Sequence, residues 1–453
     1  MDTPIFDFVQ KYNEGISARL HMPGHKGVSF LGPEAFDITE IDGADELYAP
    51  SGIIRESEEN ATRLFDTAKT IYSAGGSSQS INAMLYLAYL RADKTERPFV
   101  LAGRNAHKSF IYALAKLDAD VKWLYPQNNV GICSCIIDGE TVQEALENLV
   151  RKPFAVYITS PDYLGGMSDI ESIAKVCKEY DIPLLVDNAH GSYLKFCKQD
   201  LHPISLGADM CCDSAHKTLP VLTGGGYLHI AKSDKYGFSQ SAISAMAIFG
   251  STSPSYLILQ SLDLCNKYID EKIRDDIEIC AQKVAELRDF ITSIGFKILS
   301  QEPLKLTVDF RGLEVDCKIY LRYFFGNCKV YFRSFAIEFE YAEDDLVVFM
   351  FSPQNSDENF SRVKAAFDNL YILDTEKIEN IQIPKAERVM TIREAIFNEC
   401  EEIFANDALG RVCASPTVSC PPAIPIAVSG ERITEEHIQL FEKYNIYRIL
   451  VVK

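Results

Sequence analysis

The stretches Val186-Asp187-Asn188-Ala189-His190-Gly191 and Asp213-Ser214-Ala215-His216-Lys217-Thr218 decide how this chain is read. Each begins where an apolar, strand-like run ends. Pro183-Leu184-Leu185-Val186 leads into the first and Met210-Cys211-Cys212 into the second. In an open parallel sheet the carboxyl ends of the strands face the crevice in which ligands bind. One stretch therefore delivers a carboxylate, Asp187, to that crevice, and the other delivers a lysine flanked by hydroxyls and an imidazole. Lys217 sits among Ser214, Ala215, His216, Thr218 and Leu219, a setting with little of the character of exposed surface. A desolvated amine is the state in which a lysine acts as a nucleophile.

A carboxylate and a lysine at neighbouring strand ends meet the needs of pyridoxal phosphate chemistry. The lysine condenses with the aldehyde, and the acid keeps the pyridine nitrogen protonated so that the ring accepts electrons. A plainer reading of Asp187 is an acid capping the next helix. Gly75-Gly76-Ser77-Ser78, ahead of the apolar helical run Ile81 to Leu90, adds a phosphate cradle. Glycines admit a close approach, free N–H groups at a helix start hold an anion, and Ser77 and Ser78 offer hydroxyl donors. The same two serines also read as an ordinary N-cap.

The run around Lys217 resembles the cofactor-lysine motif of the bacterial ornithine/lysine/arginine decarboxylases, which have the aspartate aminotransferase fold. Other stretches agree in the family's order. They are His21-Met22-Pro23-Gly24-His25-Lys26-Gly27, Asp37-Ile38-Thr39-Glu40, Gly43-Ala44-Asp45-Glu46-Leu47 and Gly76-Ser77-Ser78. Arg104-Asn105-Ala106-His107-Lys108-Ser109, Ser251-Thr252-Ser253-Pro254-Ser255-Tyr256 and Pro421-Pro422-Ala423-Ile424-Pro425 follow, so the resemblance spans almost the whole chain. It implies pyridoxal 5′-phosphate joined to Lys217, with Asp187 at the ring nitrogen, His107 stacked on one ring face and Ala189 against the other. It places Ser214 and His216 near the phosphate. It implies that Thr252 or Ser253 comes from a neighbouring subunit, which puts the site at a homodimer interface. Thr252-Ser253-Pro254 also reads as a bare helix start.

The activity the resemblance implies is decarboxylation of arginine, lysine or ornithine, arginine ranked first, with Lys217 or His216 returning the proton to Cα and a place in polyamine metabolism. Transamination, racemisation or elimination on the same fold is the alternative, with Arg333 as a candidate carboxylate anchor, and a catalytically silent relative is a third reading. Three departures bear on substrate choice. Asn188 stands where the family has Glu, and Ala423 replaces the glycine of Pro-Pro-Gly-Ile-Pro. Gly224-Gly225-Gly226 occupies a place where bulkier polar residues are usual. The length resembles the short form, without the extra N-terminal domain of the long inducible enzymes.

Composition is consistent with this. A chain of 453 residues, 47% hydrophobic and 24% charged, is expected to fold into more than one domain. No apolar run approaches the roughly 18 residues of a membrane helix, and Met1-Asp2-Thr3-Pro4 does not open an export signal, so a cytoplasmic protein is expected. A net charge of −19, from 64 acids and 45 bases, disfavours nucleic acid and anionic membranes as partners and suits a cationic amino acid. The thirteen cysteines include no Cys-x-x-Cys pair, so reduced thiols and no metal site are expected.

Alternating helix and strand periods predict an α/β large domain with a mostly parallel, seven-stranded sheet. The expected division is an N-terminal arm over 1–30, a large cofactor-binding domain over 31–290 and a smaller α+β domain over 291–453. Residues 62–90 read as helix, turn, helix, and Tyr256 to about Ile294 as one long linking helix.

Overall fold

Strand and helix alternate from Lys69 to Ile230 because short apolar runs rich in branched residues are separated by amphipathic segments. In the computed structural model, which describes residues 1–126, 134–317, 328–343, 346–375, 383–418 and 425–453, seven of these runs form one sheet. They are β1 (Lys69–Ser73), β2 (Phe99–Gly103), β3 (Asp120–Leu124), β4 (Val156–Thr159), β5 (Leu184–Asp187), β6 (Met210–Asp213) and β7 (Gly226–Ile230). Their order is β1-β7-β6-β5-β4-β2-β3. β7 runs antiparallel to its neighbours β1 and β6, and every other pair is parallel. The expected mostly parallel seven-stranded sheet is therefore present.

Both faces of the sheet are covered, and strand residues divide between them by alternation. Leu185, Met210 and Cys212 enter one core with Ile81, Leu85, Phe110 and Met246. Leu184, Val186 and Cys211 enter the other with Val142, Ile170 and Ile173. Helices α1 (Pro4–Glu14), α2 (Ile53–Phe65), α3 (Gly76–Tyr89), α4 (Lys108–Leu117), α5 (Gly139–Glu147) and α6 (Ile170–Tyr180) precede a single helical turn, α7 (Ala215–Thr218). On α1, Ile5 and Val9 are fully buried, and Asp263 Oδ2 accepts the Ile5 and Phe6 N–H groups at 2.9 and 3.0 Å. Beyond α1, Ile16, Leu20, Met22, Val28, Phe30 and Leu31 are exposed.

Two expectations are corrected. The segment read as helix, turn, helix contains strand β1 between α2 and α3. Its run Thr70-Ile71-Tyr72 is short and fully buried, and burial in the sheet overrides the helical pattern on either side. The long linking helix is two helices, α9 (Tyr256–Glu271) and α10 (Ile273–Ser293), which follow α8 (Ala242–Phe249). Lys272 leaves the helical region at φ −142° and ψ −24°, although no glycine or proline marks the break. The two halves serve different partners: α9 packs on α1 and α2, and α10 on a later helix and two later strands.

Those later elements are β8 (Lys297–Ile298), β9 (Lys305–Asp309), β10 (Leu313–Cys317), β11 (Tyr341–Glu343), β12 (Leu346–Met350) and β13 (Leu370–Thr375), with α11 (Cys328–Ser334) and α12 (Asp357–Asp368) among them. β11-β12-β9-β8 is an antiparallel sheet, and β10 pairs with β13. Farther on, Cys400–Phe404 pairs antiparallel with Arg448–Val452, and Ile449 and Val451 pack into the large-sheet core beside Leu184. Among the described residues no helix is long and apolar enough to cross a membrane. Nine of the cysteines there are free, and of these all but Cys400 are buried.

Candidate active site

Strands β5 and β6 are parallel, so their last residues, Asp187 and Asp213, reach the same edge of the sheet. Asp187 is almost fully buried. The Tyr157 hydroxyl donates to its Oδ2 at 3.1 Å, and the Ala189 N–H and the Cys212 thiol approach Oδ1 at 3.2 and 3.6 Å. These contacts fix the carboxylate's direction. Four residues beyond Asp213, on the single turn α7, stands Lys217. Its side chain opens into the cleft, with Nζ 3.0 Å from His190 Nε2. Burial by the surrounding protein lowers the pKa of this amine, against the opposing pull of Asp187 and Glu340.

His107 caps α4. Its Nδ1 accepts the Ser109 N–H at 3.2 Å, which leaves the ring proton on Nε2. Burial is the largest influence on this ring and lowers its pKa; Asp187 opposes the shift and Lys217 adds to it, so the three side chains share one electrostatic neighbourhood. The Ser109 hydroxyl donates to Ser78 Oγ at 2.8 Å, and the Ser214 hydroxyl donates to Ser77 Oγ at 2.8 Å. The first turn of α3 thus lies between the His107 loop and the Lys217 loop. No side chain caps that turn, so its N–H groups beyond Gly76, whose own N–H goes to Gly224, remain available to an anion.

The three glycines lock this arrangement. Gly224 accepts the Gly76 N–H at 2.7 Å, and Gly225 O accepts the His216 N–H at 3.2 Å and lies 2.9 Å from His216 Nδ1. A Cβ at Gly225 would lie 2.3 Å from Val221 Cγ1, and one at Gly226 would lie 2.6 Å from the Asp213 carbonyl. Gly224 has φ +99°, in the region that favours glycine. Here the triplet is a packing requirement.

Asn188 also finds an explanation. Its amide donates to Asp213 Oδ1 at 2.7 Å, and His202 Nε2 and His229 Nε2 each lie 3.2 Å from Asp213 Oδ2. Burial alone would raise the Asp213 pKa, but the two imidazoles override it and hold the carboxyl far below the usual range. A glutamate at 188 would set a second anion against this one. His202, Cys211 and Asp213 present ligand-type atoms within 4.8 Å of one another, but the carboxylate is already engaged by these three donors. The cluster braces the strand that carries Lys217.

The structure brings Lys217, Asp187, Ala189, His107, Ser77, Ser78, Ser214 and His216 to one cleft. It leaves Thr252 exposed on the loop between α8 and α9, with no described hydrogen bond to that group. Arg333 is exposed on α11, 3.9 Å from Glu338, and no described contact joins it to that group. Ala423 lies outside the described residues. Sequence reasoning missed His190, Lys305 and Glu302, all buried behind Lys217. One signal was available: Lys305 interrupts an apolar strand pattern, and a charge there demands a partner.

The donor set fits pyridoxal phosphate. It offers an amine whose pKa is lowered, a carboxylate with a fixed direction, a flat imidazole, a small methyl at Ala189, and hydroxyls beside an uncapped helix start. The large domain has the fold of the PLP-dependent transferases. A serine palmitoyltransferase variant from S. paucimobilis, solved with a bound PLP–myriocin adduct, matches 81% of this chain and 83% of its own at TM-score 0.53 and 11% identity. The Francisella novicida lysine decarboxylase matches 100% of this chain and 81% of its own at TM-score 0.81 and 16% identity.

Within that class the chain belongs to the Orn/Lys/Arg decarboxylase family: the model of the family's major domain matches residues 3–389, and that of its C-terminal domain matches residues 373–445. An arginine decarboxylase of Bacillus subtilis is 28% identical over 478 residues, covering 98% of this chain and 93% of its own.

Proposed function

We propose that the chain is a PLP-dependent decarboxylase of a basic amino acid, with arginine first, converting it to the amine and carbon dioxide. The observation that carries the reading is the meeting of Lys217, Asp187 and His107 at one sheet edge, within a family defined by this activity. The likeness to an arginine decarboxylase over nearly its full length supports the ranking.

When bound, the cofactor would supply an electron-accepting ring for the pair left by departing carbon dioxide. Asp187 would hold a proton on the ring nitrogen. His107 would cover one ring face, and Ala189 would leave room on the other. Ser77, Ser214, His216 and the first N–H groups of α3 would hold the phosphate. Lys217 Nζ, once free, would return a proton to Cα, with His216 as the alternative donor.

We infer a homodimer whose second copy completes the site through Thr252, since the Ser251–Ser253 loop and the apolar 16–31 segment are both exposed in one copy. A place in cytoplasmic polyamine metabolism, and the three-part division of the chain at about 30 and 290, belong to the same proposal. The test is purified protein incubated with arginine, lysine and ornithine, with carbon dioxide and amine measured together. Cofactor absorbance without carbon dioxide from any of the three would refute it, and keto acid in place of amine would favour transamination.

A further inference from the structure

A second lysine is buried behind Lys217. Lys305 opens β9 at 1% exposure, and its Nζ pairs with Glu302 Oε1 at 2.6 Å. The Tyr193 hydroxyl donates to the other oxygen of Glu302 at 3.0 Å, which fixes the carboxylate. Lys305 Nζ also lies 3.3 Å from His190 Nδ1, and the opposite nitrogen of that ring lies 3.0 Å from Lys217 Nζ. Glu302, Lys305, His190 and Lys217 form one unbroken line, and the proposed function uses only its last member.

The protons on this line have one consistent arrangement. An ammonium only donates, so Lys305 donates to His190 Nδ1. A neutral imidazole that accepts at Nδ1 carries its proton at Nε2. Burial, and then the facing Lys305, Lys217, His107 and His216, push the His190 pKa well down, so the ring stays neutral. Its Nε2–H is aimed at Lys217 Nζ, and only an amine with a free lone pair accepts it. An ammonium at 217 would set N–H against N–H.

We propose that Lys305 and His190 are positioning residues that keep Lys217 a free amine, Lys305 by fixing the imidazole tautomer and His190 by donating to the lysine lone pair. The proposal rests on the reading of Lys217 as the nucleophile. Other groups face the same nitrogen. Asp187, Glu340 and Cys212 favour the ammonium, and burial, Lys305 and the nearby His107 oppose it. What His190 adds is direction, since it carries no charge of its own.

The test is the pH dependence of acylation of Lys217 by trace acetic anhydride in the full-length chain stripped of cofactor. The fraction modified is read by peptide mass spectrometry, with exposed Lys297 as internal reference. The parent midpoint should fall below that of Lys297. Lys305→Met should raise the Lys217 midpoint by about one pH unit, a roughly tenfold loss of free amine at a given pH. His190→Ala, which removes no charge and admits water as an acceptor, should raise it similarly. The double variant should shift by less than the sum of the two single shifts, because both act in part through one hydrogen bond and only the lost Lys305 charge adds to it. A midpoint unmoved by His190→Ala in a variant with parental circular dichroism overturns the proposal, as do additive shifts, and His190→Ala decides the matter alone if Lys305→Met does not fold. The midpoint is read without substrate, so a parent that decarboxylates nothing fails the functional reading and leaves this test intact.

Discussion

Arg104 and Glu431 make a buried, two-pronged ion pair, Nη1 to Oε1 at 2.6 Å and Nη2 to Oε2 at 2.8 Å, across 327 positions of sequence. It fastens the chain near its C-terminal end to the β2 exit, three residues ahead of His107. Glu431→Gln keeps the volume but offers one oxygen where the guanidinium and the Val428 N–H, which donates to Oε2 at 2.8 Å, need two. The amide nitrogen then faces a donor, and Arg104 is left as a buried charge without a counter-ion. Breaking a buried pair from one side costs about 3–5 kcal/mol. At a urea slope of roughly 3 kcal/mol/M, the midpoint should fall by about 1 M or more.

Trp123, the only tryptophan, is a local reporter, because the Arg104 guanidinium carbon lies 5.0 Å from its ring. Urea titration of its fluorescence therefore follows this junction. The double variant Arg104→Met/Glu431→Leu should recover most of the loss, because replacing both charges with apolar groups is often neutral or better. A loss below about 1 kcal/mol for Glu431→Gln, or a double variant worse than the sum of the singles, would refute the reasoning.

Three further outcomes follow from the site and its surroundings. Asp187→Asn should lower kcat on the order of 10²–10³-fold with cofactor still bound, as loss of one preorganised electrostatic group does, and steady-state kinetics with spectrophotometry checks it. Glu340 is held by the Tyr163 hydroxyl at 2.9 Å and lies in the field of Lys217, and the prediction is that it meets a substrate's distal cation. Glu340→Gln should then raise KM for arginine about tenfold and spare kcat, and an unchanged KM removes Glu340 from that role. Burial raises the Glu58 pKa to about 8, so the folded state holds a proton that the unfolded chain releases near 4.5. That contribution is complete below pH 4.5 and fades as pH climbs through 8, so urea midpoints should decline over this window, and less steeply in Glu58→Gln.

Local chemistry made much of the site legible in the sequence. Strand ends Leu184–Asp187 and Met210–Asp213 stand out as apolar runs, and the cofactor-type residues follow them directly. The β1 strand was hidden because five residues flanked by helical patterns carry too short a period. The break at Lys272 was hidden because its cause is tertiary: two stripes on one amphipathic run dock on different partners. His190 looks like a turn residue until Lys305, 115 positions away, comes to its other nitrogen. Asn188 reads as a departure from pattern only until the Asp213 carboxylate is seen beside it.

The measurement nearest to the centre of the account is the site of covalent attachment. Purified full-length protein is mixed with pyridoxal phosphate, reduced with borohydride, digested and mapped by mass spectrometry. The account predicts a pyridoxyl group on Lys217 at near-stoichiometric yield. A label on another lysine, or one scattered over surface lysines, would contradict it.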